Sequence, residues 1–81
     1  MIIDGIRDKV LLFSKNKGLF VTVDYNTSKG EIETAMGRLK SVNEETGDIL
    51  IVHINNEKIF WGFNLKRVES YKFSPIKGGA K

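Results

Sequence analysis

Cysteine is absent from these 81 residues, and proline occurs once, at Pro75. The first absence excludes disulfides and thiolate metal sites together. Histidine also occurs once, at His53. Long apolar runs are missing too. The longest are the four-residue stretches Val10-Leu11-Leu12-Phe13 and Ile49-Leu50-Ile51-Val52, far short of the ~20 residues a membrane helix needs. At the N-terminus, Met1-Ile2-Ile3 runs directly into Asp4, Arg7, Asp8 and Lys9, so the apolar core of a signal peptide is not there. These features lead to the expectation of a soluble, cytoplasmic protein.

What is present is ordinary globular composition, 41% apolar and 28% charged, and not that of a disordered segment. The length suits one small domain, which hides only about 60–65% of its unfolded surface. Without a disulfide or a metal, association with further copies is the remaining way to reinforce so small a core. The net charge of +3 conceals a split. Residues 1–65 are nearly balanced, eight basic against nine acidic, whereas Lys66, Arg67, Lys72, Lys77 and Lys81 face only Glu69 in the remainder.

Periodicity divides the chain. Ile3, Ile6, Val10 and Phe13 recur at three- and four-residue intervals and predict one helix face, with Lys17-Gly18 as its stop. Phe20–Tyr25 is β-branched and aromatic, hence a strand. Asn26–Gly30 reads as a turn. A second strand is expected from about Glu31 to Asn43, with a bulge where Leu39 and Val42 break the alternation. Glu44–Gly47 turns into a strand at Asp48–Ile54, and Asn55–Glu57 turns into another at Lys58–Trp61. Gly62-Phe63-Asn64 reads as a tight connection to a last strand, Leu65–Phe73. The predicted fold is mainly β: an N-terminal α-helix, then a strongly bent five-stranded antiparallel SH3-like or Sm-like barrel over residues 1–73, followed by a flexible basic tail at 74–81.

Few residues point to chemistry. His53, in the predicted strand, reads as a structural or surface histidine, since a lone imidazole lacks ligand partners. The acidic turn at Glu44, Glu45 and Asp48 lacks the ordered oxygen ligands of a calcium loop. No phosphate-binding glycine loop joins a strand to a helix, and no serine or threonine has a neighbouring histidine base. Neither an enzyme nor a cofactor or metal is expected. Trp61 either packs into the core or stacks on a base. Lys66 and Arg67, if in a strand, point to opposite faces.

Two segments carry a resemblance. Gly37-Arg38-Leu39-Lys40-Ser41-Val42-Asn43 resembles the first motif of the Sm-like (LSm) family, a glycine, a leucine two later, an apolar residue three further on and a polar residue. Phe60-Trp61-Gly62-Phe63-Asn64-Leu65-Lys66-Arg67-Val68 resembles the second, apolar–Arg–Gly–x–Asn–apolar. Ile3, Asp4 and Ile6 match the family's short helix, and the likeness spans about residues 2–71. It implies a bent barrel whose fourth and fifth strands pair with neighbours in a six- or seven-membered ring. Around the pore, such proteins bind uridine-rich single-stranded RNA between the turn after the second strand and the second motif.

Carried over by position, the resemblance gives Asn43, Glu45, Asp48, Trp61, Gly62, Asn64, Lys66 and Arg67 as candidate RNA contacts. Four positions depart from the pattern. Asn43 stands where the family has Asp, Glu45 falls at or near the stacking position, Gly47 or Asp48 takes the Asn position, and Trp61 replaces Arg. The leading expectation is a homo-oligomeric ring binding single-stranded RNA. The alternatives are an oligomeric barrel serving as a protein-interaction scaffold, or a duplex-DNA-binding module using the basic tail.

Overall fold

The computed structural model describes residues 4–74. Helix α1 (Asp4–Lys15) is followed by β1 (Phe20–Asn26), β2 (Ile32–Val42), β3 (Asp48–Val52) and β4 (Phe60–Asn64). A single 3-10 turn, η1 (Leu65–Arg67), then leads into β5 (Val68–Ser74). The five strands form one antiparallel sheet in the order β4-β3-β2-β1-β5. The fold class is therefore the expected one. The sheet does not close: β4 and β5 each have one strand neighbour and are not paired with each other.

The helix forms because its apolar residues share a face. Ile6, Val10 and Phe13 are buried in the main core with Val21, Val23, Leu39, Ile51 and Leu65. Phe13 is fully buried and meets the rings of Tyr71 and Phe73 edge-on at 5.1 and 4.9 Å. The helix thus packs against β5. Its end is fixed by Asn16, whose Nδ2 donates to the Leu12 carbonyl at 2.7 Å. Gly18 follows with φ +91° and donates to the Leu39 carbonyl.

The expected bulge in β2 is present. The β2–β3 register shifts between Leu39 and Ser41, which leaves Lys40 without an opposite residue. Gly37, just before it, comes so close to β3 that an added Cβ would collide with the Val52 carbonyl. A second irregularity lies between β1 and β5, where the register shifts between Asp24 and Tyr25 so that Tyr25 faces Val68.

Several expectations need correction. Strand β3 stops at Val52, not Ile54, and β4 begins at Phe60, not Lys58. His53 instead opens a connecting turn, its Nδ1 accepting the Asn55 N–H at 3.1 Å. Gly62, Phe63 and Asn64 lie inside β4, paired with Leu50, Ile49 and Asp48, so they form no connection. Cross-strand pairing here overrides the turn preference of glycine and asparagine. Lys66 and Arg67 consequently lie in η1 and not in a strand, and both are exposed. The proposed tail begins inside β5, which runs through Ser74; residues 75–81 lie outside the described residues.

Candidate nucleic-acid interface

The β2–β3 turn and the β4–η1 corner, far apart in sequence, are tied together. Asn43 organises the turn. Its Oδ1 accepts the N–H groups of Glu45 and Thr46 at 2.9 and 3.1 Å, and its carbonyl accepts from Gly47 at 2.8 Å. Gly47 is buried with φ +85°, and an added Cβ would meet Ile6 at 2.8 Å. Only glycine satisfies that backbone angle and that space together. The Gly47 carbonyl then accepts the Leu65 N–H at 2.8 Å, which joins the turn to the corner.

Asn64 completes the junction. Its Nδ2 donates to the Thr46 carbonyl at 2.8 Å and to Asp48 Oδ1 at 2.9 Å, while its Oδ1 caps η1 by accepting the Lys66 N–H at 2.9 Å. The other Asp48 oxygen accepts from the Thr46 hydroxyl at 3.0 Å. Both amide hydrogens of Asn64 are thus committed. Asn43, Asp48 and Asn64 do converge, and their polar groups hold the two loops in register. Glu44, Glu45 and Lys66 are exposed around this junction.

Trp61 does not join them. It pairs with Ile51 while Asn64 pairs with Asp48, a separation of three strand residues, or about 10 Å. It is half-buried, packs against the core and lies over His53 with ring centroids 6.3 Å apart. Of the two expectations for this side chain, packing is present, and the ring stays partly exposed.

The remaining two residues, Gly62 and Arg67, line a different feature. Between the edge of β4 and the turn that follows β1 lies an open cleft of about 380 Å³, walled also by Tyr25, Asn26, Thr27 and Phe63. The rings of Tyr25 and Phe63 are stacked, with centroids 4.0 Å apart and planes within 11°. Arg67 Nη1 donates to the Asn26 carbonyl at 3.3 Å. The hydroxyl of Tyr25 donates to Glu33 at 3.1 Å, and Asn26 Nδ2 donates to Glu69. Burial, reinforced by the neighbouring Glu33 carboxylate, holds the Tyr25 phenol above its usual 10.0. It therefore stays protonated at neutral pH.

Sequence reasoning passes over Tyr25 and Phe63, because they lie 38 positions apart and meet only once the sheet has bent. The only signal along the chain is an aromatic residue near the end of each strand. A smaller, apolar groove of about 180 Å³ lies between Lys40, Leu50, Val52, Glu57 and Phe60. Among the described residues no three histidine, aspartate or glutamate side chains gather as a metal site, and no helix is long and apolar enough to cross a membrane. No protein-family model, curated protein or solved structure matches the chain.

Proposed function

We propose that the protein is a subunit of an Sm-like ring that binds single-stranded RNA. The observation that carries this reading is the arrangement of the open sheet. Its two unpaired edges, β4 and β5, lie at opposite ends of the strand order, and the β2–β3 turn is locked to the β4–η1 corner. That is the layout the two motif resemblances imply. Free edges are ready templates for pairing with another chain, and each carries an exposed ring, Phe60 at 61% on β4 and Tyr71 at 38% on β5. Edge-to-edge pairing of successive copies would cover both and supply the reinforcement that so short a chain needs.

One observation favours a second reading. Glu44 and Glu45 are exposed beside the junction, and carboxylates repeated around a ring oppose phosphate. A ring that uses this acidic turn to hold a protein would have the same architecture.

Light scattering after gel filtration, followed by anisotropy titration of a labelled oligouridine at low and moderate salt, tests both parts. Six or seven copies and binding that weakens with salt are expected. A monomer overturns the ring. A stable oligomer with no affinity for oligouridine at low salt overturns RNA binding and leaves the protein scaffold.

A further inference from the structure

The polar groups at the turn–corner junction are largely consumed by one another. Asn64 uses both amide hydrogens internally, and each Asp48 oxygen already accepts a hydrogen bond. The groups suited to holding a nucleotide lie beside it instead. We propose that the open cleft between the edge of β4 and the turn after β1 is a nucleotide subsite, in which a base stacks on the Tyr25–Phe63 pair and Arg67 meets the adjoining phosphate. The inference rests on the RNA-binding reading above and names where the strand lies.

Three independent features converge there. The first is shape. About 380 Å³ is open between the sheet edge and the turn, within the 300–1,000 Å³ typical of small-ligand sites. The second is the aromatic platform. Two half-buried rings, stacked at 4.0 Å with planes within 11°, form a flat slab that a third ring can extend. Each base stacked on such a surface contributes strongly to single-strand binding and does so with little sequence preference. The β1–β5 register shifts at Asp24/Tyr25, beside this platform, and bulges commonly re-aim a side chain next to a functional site.

The third feature is charge. Arg67 is exposed, and among the described residues its guanidinium makes one hydrogen bond, from Nη1 to the Asn26 carbonyl at 3.3 Å. An arginine has five N–H donors, so the fork retains donors for phosphate. Two carboxylates flank the cleft, but Glu33 accepts from Tyr25 and Glu69 accepts from Asn26. Lys29 and Lys66, both exposed on the neighbouring turn and corner, offset them. Gly62 lines the cleft without a side chain. A substituent there would meet nothing closer than 3.9 Å, so glycine leaves open space at this wall.

Amide chemical-shift mapping with a short oligouridine, on the protein in its solution oligomeric state, reads the site directly. Perturbation is expected at residues 25–28, 62, 63 and 67. Tyr25→Leu, which keeps bulk and removes the ring, should weaken binding about tenfold. Arg67→Gln alters an exposed side chain and so preserves the fold; it should reduce the slope of log affinity against log salt by about 0.7, the loss of one single-strand phosphate contact. Binding with shifts confined to residues 43–48 and 64, and an unchanged salt slope in Arg67→Gln, would overturn the cleft and leave RNA binding standing. Absence of any binding at low salt would overturn both. A mononucleotide control separates a strand site from a free-nucleotide site. Saturation by uridine monophosphate as tight as by the oligomer would overturn the strand assignment.

Discussion

Each carboxylate oxygen of Asp24 is held by a hydroxyl, Thr34 Oγ1 at 2.6 Å and Ser70 Oγ at 3.0 Å. Thr34 lies opposite on β2 and Ser70 opposite on β5, so one side chain bridges three strands. Both bonds favour the ionised form, and the Thr34 bond, then the Ser70 bond, lower the Asp24 pKa below 3.8 against a smaller opposing effect of burial. A folded-state value lowered in this way stabilises the protein above about pH 3.8 and loses that contribution as pH falls through the lowered value. An NMR titration of the Asp24 carboxyl should give a midpoint below 3.8, moving upward in Thr34→Val. A midpoint at 3.8 in both proteins would show that the hydroxyls do not hold the charge. Tyr25 runs the other way. Its pKa is raised, so its contribution is complete below pH 10 and declines as pH rises through the raised folded-state value.

At the level of single elements, α1 contains a defect. The Ser14 hydroxyl is buried with no hydrogen-bond partner among the described residues. Burying an unpaired hydroxyl costs about 1–3 kcal/mol, and serine is also a weaker helix former than alanine. Ser14→Ala should therefore raise stability by about 1 kcal/mol in urea unfolding, with an unchanged denaturant slope. A loss of stability would mean that the hydroxyl finds a partner in solution.

The elements also show what the sequence makes legible. The helix face was readable because Ile6, Val10 and Phe13 follow the helical period and are the residues buried. The bulge at Lys40 was readable because Leu39 and Val42 break a period of two. The Gly62–Asn64 segment misleads, since glycine and asparagine favour turns locally while β3 recruits them into a strand. Misplacing that strand also misplaces Lys66 and Arg67, and with them the way Arg67 approaches Asn26. The candidate site is less legible than the fold. Asn43, Asp48 and Asn64 come together as their motif positions suggest, but Trp61 lies at the other end of β4, and the Tyr25–Phe63 stack depends on sheet curvature. No local pattern encodes a contact between strands that are not hydrogen-bonded neighbours.

For the whole molecule, the decisive property is that the sheet has two ends. Strand β4 hangs from β3 alone and β5 from β1 alone, and Phe60 stands exposed at the outer strand. If copies join through these edges, Phe60→Ser should lower the oligomer's mass in light scattering while far-UV circular dichroism stays unchanged. An assembly of unaltered mass at the same concentration would exclude Phe60 from the contact. Unpaired edges of this kind also favour disordered aggregation, so a closed ring would protect the protein as well as stabilise it.

The placement of β1 has a consequence for how the protein is made. It lies between β2, which follows it at once, and β5, the last strand among the described residues. Residues 27 to 67 must be synthesised between the end of one and the start of the other. At 5–20 residues per second that takes about 2–8 s. During that interval one side of β1 has no partner, and Phe13 lacks Tyr71 and Phe73, the two rings that enclose it. The nascent chain can form a helix and a hairpin, but its core stays wet until β5 leaves the ribosome.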